Sequence, residues 1–171
     1  YPPVLGFRFY MLNSFAFLDS PGEYYINRNN GILYILLPSE ETNIKSIELI
    51  LSTHDTIISS SLNSKQLKFV SFQNMVLSIS QGDGIKLQNV DHVYINNCTV
   101  SNTGGACIIL NGQGSNITNS TIFGCGTFGI TLEGGDIKTL NASNLRAVGN
   151  IVSNFSRLIR TYRPAIGFNG V

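Results

Sequence analysis

Three stretches of the chain can be laid on one another at an almost fixed step. "VSFQNMVLSIS" (Val70–Ser80), "VYINNCTVSNT" (Val93–Thr103) and "SNITNSTIFGC" (Ser115–Cys125) align Phe72 with Ile95 and Ile117, and Leu77 with Val100 and Ile122. They also align Asn74 with Asn97 and Asn119, at steps of 23 and then 22 residues. A second set, "GIKLQ" (Gly84–Gln88), "CIILN" (Cys107–Asn111) and "GITLE" (Gly129–Glu133), aligns Ile85, Ile108 and Ile130 at the same steps. Short alternating segments between Gly, Asn and Ser turns read as strands. A unit of this size cannot bury its apolar side alone, but stacked copies share a continuous core. A leucine-rich repeat has a similar period, yet its leucine consensus is missing. The pattern therefore predicts an all-β chain, a parallel β-helix of about 22–23 residues per coil. It should be right-handed, as parallel β crossovers are. The aligned asparagines suit tight corners, because Asn tolerates left-handed backbone and its amide can bond from coil to coil. Asn97 is accordingly expected as a buried rung of an asparagine ladder.

The period then breaks. The next ladder asparagine is placed at Asn150, and the next "GITLE"-like segment is "AIGFN" (Ala165–Asn169). The extra residues fall in Gly134–Arg146 and in "SRLIRTYRPA" (Ser156–Ala165), where Arg157, Arg160 and Arg163 crowd together in a chain only 12% charged. Insertions in a solenoid become loops, commonly on the binding side. Both leave the same coil, so they are expected to meet on one side. Asp136 or Glu133 would then accept a charge-assisted bond from Arg160 or Arg163, with Tyr162 packed over the joint.

Residues 1–45 do not repeat. There "PGEYYINRNNGILYILLP" (Pro21–Pro38) has two aromatic and β-branched runs around Arg28-Asn29-Asn30-Gly31, a hairpin signal. The expected organisation is a small N-terminal β-module or cap over 1–45 and coils over 46–171. The last of these, "GFNGV", breaks off within a strand-like pattern. Further coils beyond the C-terminus are expected to pack there.

At these residues the sequence resembles a group of right-handed parallel β-helix proteins, many of them glycoside hydrolases or related polysaccharide-active enzymes. "LDSPGEYYINRNNGILYILLP" (Leu18–Pro38) is similar to that group's L-D-x-P-G-E-W-Y segment followed by G-x-L-Y-x-x-P. "GGDIKTL" (Gly134–Leu140) and "RTYRPA" (Arg160–Ala165) resemble a second pair of its motifs. Tyr24 stands where the group usually has Trp, and Ile137 where a basic residue is common. The resemblance implies the β-helix fold and a carbohydrate-directed role. It fixes no single reaction, because β-helices carry many.

Side chains alternate faces along a strand. With Ile85, Leu87, Ile108, Leu110, Ile130, Leu132, Ile166 and Phe168 inward, the outward set includes Lys86, Gln88, Asn111, Glu133 and Asn169. Gln88, Asn111, Glu133 and Asn169 would form a polar row climbing one coil at a time, about 4.8 Å per step. Such a row suits the hydroxyls of a sugar chain, and equally suits a solvated sheet face. Glycoside hydrolysis needs two carboxylates, and Glu133 with Asp136 is the candidate pair. Asp83, between glycines, reads as a turn residue. Lys86, Gln88, Asn111, Asn169, Arg157, Arg160, Tyr162 and Arg163 are the candidate substrate contacts. The arginines have two readings: gripping an acidic sugar, as a polysaccharide lyase would, or tying the loops together.

Net charge +1 argues against general nucleic-acid or anionic-membrane binding. No apolar run approaches the ~20 residues of a membrane span. Cys98, Cys107 and Cys125 lack metal-ligand spacing and histidine company, so no metal or other cofactor is expected. They read as three small buried hydrophobes, with a Cys107–Cys125 bridge as the alternative. His54 and His92 read as surface residues. Five sequons, at Asn97, Asn116, Asn119, Asn141 and Asn154, could carry glycans if the protein is secreted by a eukaryote. The expectation is a secreted, carbohydrate-active β-helix, hydrolase-like, whose partner is a polysaccharide or glycan. The alternative is a non-catalytic structural or glycan-binding module.

Overall fold

The computed structural model describes residues 11–37, 48–63 and 65–170. The chain divides into two units, Tyr1–Leu49 and Ile50–Val171. Of the predicted 1–45 module, residues 1–10 and 38–45 lie outside the described part.

The first unit contains the expected hairpin. Tyr24–Asn27 pairs antiparallel with Ile32–Ile35, Tyr25 opposite Tyr34 and Ile26 opposite Leu33. The turn closes at Gly31, whose φ of 72° glycine adopts without strain. Phe15, in a single turn of 3-10 helix, meets the rings of Tyr25 and Tyr34 edge-on at centroid distances of 5.4 and 5.3 Å.

The second unit is a parallel β-solenoid of three sheets. The first stacks Ile58–Ser59, Ile85–Asp91, Ile108–Gln113, Ile130–Gly134 and Ile166–Gly170, with Leu67–Lys68 on the far half of the Ile85–Asp91 strand. The second stacks Ser71–Gln73, Tyr94–Asn96, Asn116–Thr118 and Arg146–Val148. The third stacks Val76–Ser80, Thr99–Thr103, Thr121–Cys125 and Ile151–Ser153. Every pairing in the three sheets is parallel.

The predicted register holds. Ile85, Ile108, Ile130 and Ile166 are partners in sequence, and so are Phe72, Ile95 and Ile117, then Leu77, Val100 and Ile122. These columns are the core: Ile85, Leu87, Ile95, Val100, Ile108, Leu110, Ile117, Ile122 and Ile130 are all closed to solvent. At the last rung the same columns open. Phe168 sits over Leu132 in register, yet is 67% exposed where Leu132 is 1%.

The asparagine ladder needs two corrections. Asn74, Asn97 and Asn119 do share one corner, at φ of 58, 51 and 50°, and the Asn97 Nδ2 donates to Asn74 Oδ1 at 2.7 Å. But the three are exposed, not buried, because their side chains stand outside the corner they turn. The fourth member is Gly149, φ 67°, rather than Asn150. Gly149 also supplies left-handed backbone without strain, so the step slips by one residue. Asn150 points the other way. It accepts from the Ser120 N–H at 2.9 Å and donates to the Ile117 carbonyl at 2.8 Å, stitching the fourth coil to the third.

The cysteines are corrected as well. Cys107 and Cys125 are joined, Cα atoms 5.4 Å apart, and only Cys98 remains a free buried thiol. A separation of 18 falls four short of a 22-residue coil. The chain has by then nearly come round to where it started, which brings the two Cβ atoms together across the corner.

Candidate functional site

The outward face of the first sheet carries part of the expected row. Asn111, Glu133 and Asn169 are register partners, and Asn111 Nδ2 donates to Glu133 Oε2 at 3.3 Å. Gln88 is displaced from the row by a bulge, since the register shifts between Leu110 and Gly112 and leaves Asn89 at φ 57°. Its main chain is held instead by the Ser60 hydroxyl, which accepts from its N–H and donates to its carbonyl. Lys86 is turned along its own strand into an ion pair with Asp83 at 3.4 Å. Asp83 also accepts from the Ala106 N–H at 2.8 Å, so this turn residue ties two coils together. Thr131, in the same outward face as Glu133, is 8% exposed, and its hydroxyl has no hydrogen-bond partner among the described residues.

The two candidate carboxylates are in different situations. Glu133 is half-buried on the sheet, beside an amide. Asp136 is exposed in the loop that follows and closes its own turn: Oδ1 accepts from the Lys138 N–H at 2.8 Å and Oδ2 from the Thr139 hydroxyl at 2.9 Å. Those bonds, the Lys138 N–H first, hold its carboxyl below the ordinary aspartate value. A group tuned that way stays ionised and is a poor general acid.

The arginine expectation fails in its geometry. Gly134–Arg146 follows the fourth strand of the first sheet, and Phe155–Arg163 precedes the fifth. Parallel strands all run the same way, so the two insertions sit at opposite ends of that sheet and do not meet. Arg163 lies over the Phe128 ring, 4.8 Å from its centroid, and donates to the Tyr162 carbonyl. Arg157 donates to the Gly124 carbonyl at 3.3 Å. Main-chain bonds from Arg157, Leu158 and Ile159 to Cys125 and Gly126 fasten this loop to the coil below. Among the described residues neither Glu133 nor Asp136 has an ion-pair partner. Tyr162 covers no joint; it is 93% exposed at φ 54°.

What the fold does build is an open cleft of about 580 Å³ at the other end of the first sheet, where its strands turn toward the second. Leu62 and Gln66, from an excursion in the first coil, form one bank. Gly135, Asp136 and Asn141, from the Gly134–Arg146 insertion, form the other. Between them Asn89, Asn111 and Gln113 contribute rungs from two intervening coils. Asn111 and Asp136 are thus brought to one site. Asn169 and Arg146 line a smaller hollow of about 340 Å³ on the far side of the same insertion, with Phe168. Gln66, Asn89 and Gln113 were not singled out from sequence, and Asn141 stood out only as a sequon. The available signal was the "QNVD" after "GIKL", one residue longer than its counterpart "NGQ" after "CIIL", which marks the bulge that turns Asn89 out.

Among the described residues no group of three or more His, Cys, Asp or Glu side chains could hold a metal ion, and no helix is long and apolar enough to cross a membrane. Compared with known families, residues 27–168 match the profile described as "Right handed beta helix region". No curated protein and no solved structure gives a significant match.

Proposed function

The chain belongs to the right handed beta helix family, and on that premise we propose that it is a carbohydrate-directed module that holds a polysaccharide strand in the amide-lined cleft. The observation that carries this reading is the cleft's chemistry. Gln66, Asn89, Asn111, Gln113 and Asn141 offer both donors and acceptors, with Asp136 as the one carboxylate. Neutral sugar hydroxyls need donors and acceptors in series, and amides supply both from one group. Successive coils present them about 4.8 Å apart, a spacing close to that of sugar residues along an extended chain. The resemblance of Leu18–Pro38, Gly134–Leu140 and Arg160–Ala165 to polysaccharide-active β-helices points the same way. A Cys107–Cys125 bridge suits an oxidising compartment and hence secretion.

Binding is favoured over hydrolysis by these residues. Asp136 is spent on its own turn, and Glu133 faces an amide rather than a second carboxylate. The test is calorimetric titration with a panel of soluble neutral and acidic polysaccharides, with reducing-sugar release followed on the same samples. Saturable binding to a neutral glycan, weakened about tenfold or less by Asn111→Ala and Gln113→Ala, is expected for net hydrogen bonds of this kind. No binding to any polysaccharide, or binding indifferent to both substitutions, refutes the reading. Sustained release of reducing ends abolished by Glu133→Gln would replace it with a hydrolase.

A further inference from the structure

The chain turns from the first sheet into the second through one column of residues: Phe69, His92, Gly114 and Asn144. The fold asks the same thing of each. The amides of Phe69, His92 and Gly114 donate to the carbonyls of Asp91, Gln113 and Ser143, one coil on. All four have positive φ, at 55, 55, 61 and 53°. The next corner repeats the arrangement with Asn74, Asn97, Asn119 and Gly149. Asn and Gly take this conformation with least strain and His visits it more readily than most residues, whereas a phenylalanine there is an outlier. Phe69 carries a second cost, because it is 74% exposed. Nothing in the turn itself calls for a phenyl or an imidazole where asparagine serves elsewhere. Leu140 and Tyr162 also combine a positive φ with exposure; what sets Phe69 apart is the ring stacked on it and the buried carboxylate behind that ring.

The surroundings say what. The Phe69 and His92 rings are stacked, centroids 5.3 Å apart and 27° from parallel. His92 Nδ1 lies 2.6 Å from Asp91 Oδ1, and Lys68 Nζ lies 3.3 Å from Asp91 Oδ2. Asp91 is only 7% exposed. Its carboxyl is held below the ordinary aspartate value, first by the His92 bond and then by Lys68 and Gln113, against the opposing effect of burial. An ionised carboxylate accepts, so in the neutral ring the proton sits on Nδ1 and Nε2 is left as an oriented acceptor. Gly114 lets that ring lie against the backbone of the next coil, since a Cβ there would come within 2.9 Å of His92 Cε1. Val90 and Gln113, the partners and neighbours of Asp91 in the sheet, line the cleft.

We propose that Phe69 and His92 form a second glycan subsite, which continues the cleft around the corner. The C–H face of a neutral pyranose packs on the exposed Phe69 ring, and a sugar hydroxyl donates to Nε2 of His92. Asp91, braced by Lys68, is the positioning residue that fixes the imidazole. This inference rests on the glycan reading of the cleft and extends it by one sugar-binding position.

The experiment is titration with a length series, disaccharide to hexasaccharide, of the neutral glycan that the parent protein binds. Phe69→Asn and His92→Asn are compared with the parent. Asparagine is chosen because it keeps the left-handed corner, and a thermal melt of each variant checks the fold. The disaccharide is expected to bind all three proteins equally. Oligosaccharides long enough to reach the corner should bind the parent more tightly, and each variant should lose about three- to tenfold of that affinity, the weight of one stacked ring or one net hydrogen bond. Identical length dependence in parent and variants overturns the subsite while leaving the cleft intact. Failure of the parent to bind any length overturns both.

Discussion

Leu110→Ala and Phe168→Ala remove side chains from the same inward column of the first sheet, yet should differ several-fold in their effect on stability. Leu110 lies in register between Leu87 below and Leu132 above, and is fully buried. Each neighbouring rung is tied to the next by main-chain hydrogen bonds, so the walls of the cavity cannot fall in. Leu→Ala substitutions in such sites cost about 3–5 kcal/mol, rising with the volume left unfilled. Phe168 stacks on Leu132 from one side only and is 67% exposed. With about a third of the side chain covered, and full burial worth at most about 3 kcal/mol, its removal should cost about 1 kcal/mol or less. Urea denaturation of both variants, read as a shift in midpoint at unchanged slope, measures the difference. Comparable losses would mean that burial along the column does not grade as the stacking requires, and would refute the reasoning.

Three further outcomes follow from particular contacts. Replacing both Cys107 and Cys125 with Ala should cost about 3 kcal/mol, the loop-closure entropy of an 18-residue separation; in denaturant the parent should show one thiol by colorimetric titration, and three would rule the bridge out. Asn97→Ala should cost about 1 kcal/mol for the left-handed corner, while Asn97→Gly should be nearly neutral; equal losses would mean that the Asn74 bond, not the backbone, carries the effect. Asp91 has its folded-state value lowered, so its contribution is complete above the unfolded value near pH 4 and is lost as pH falls through the folded value below that. Urea midpoints measured downward from pH 5 should therefore fall more steeply for the parent than for Asp91→Asn, and superimposable profiles would contradict the ion cluster.

The stacking of the core was legible because alternation and period specify it twice. Ile85, Ile108 and Ile130 cannot be shifted by one residue without turning every apolar side chain outward. The corners were less legible. Asn and Gly are interchangeable at positive φ, so Gly149 rather than Asn150 took the fourth ladder position. At the other corner Phe69 hid it, since phenylalanine does not signal a left-handed turn and His92 signals one only weakly. The arginine stretch misled for a topological reason. Two insertions in one coil look adjacent in sequence, but one enters the first sheet and the other leaves it. The cleft depended on the bulge at Asn89 and on the excursion that carries Leu62 and Gln66, neither of which belongs to the repeat.

The central claim, that the amide-lined cleft receives a neutral glycan, can be read directly from the side-chain amide signals of isotope-labelled protein titrated with that glycan. The account predicts shifts in the NH₂ resonances of Gln66, Asn89, Asn111, Gln113 and Asn141, with the exposed corner amides of Asn97 and Asn119 unmoved. Backbone-amide shifts confined to the Arg157–Arg163 loop in the same spectra, with the cleft side-chain amides silent, would contradict it.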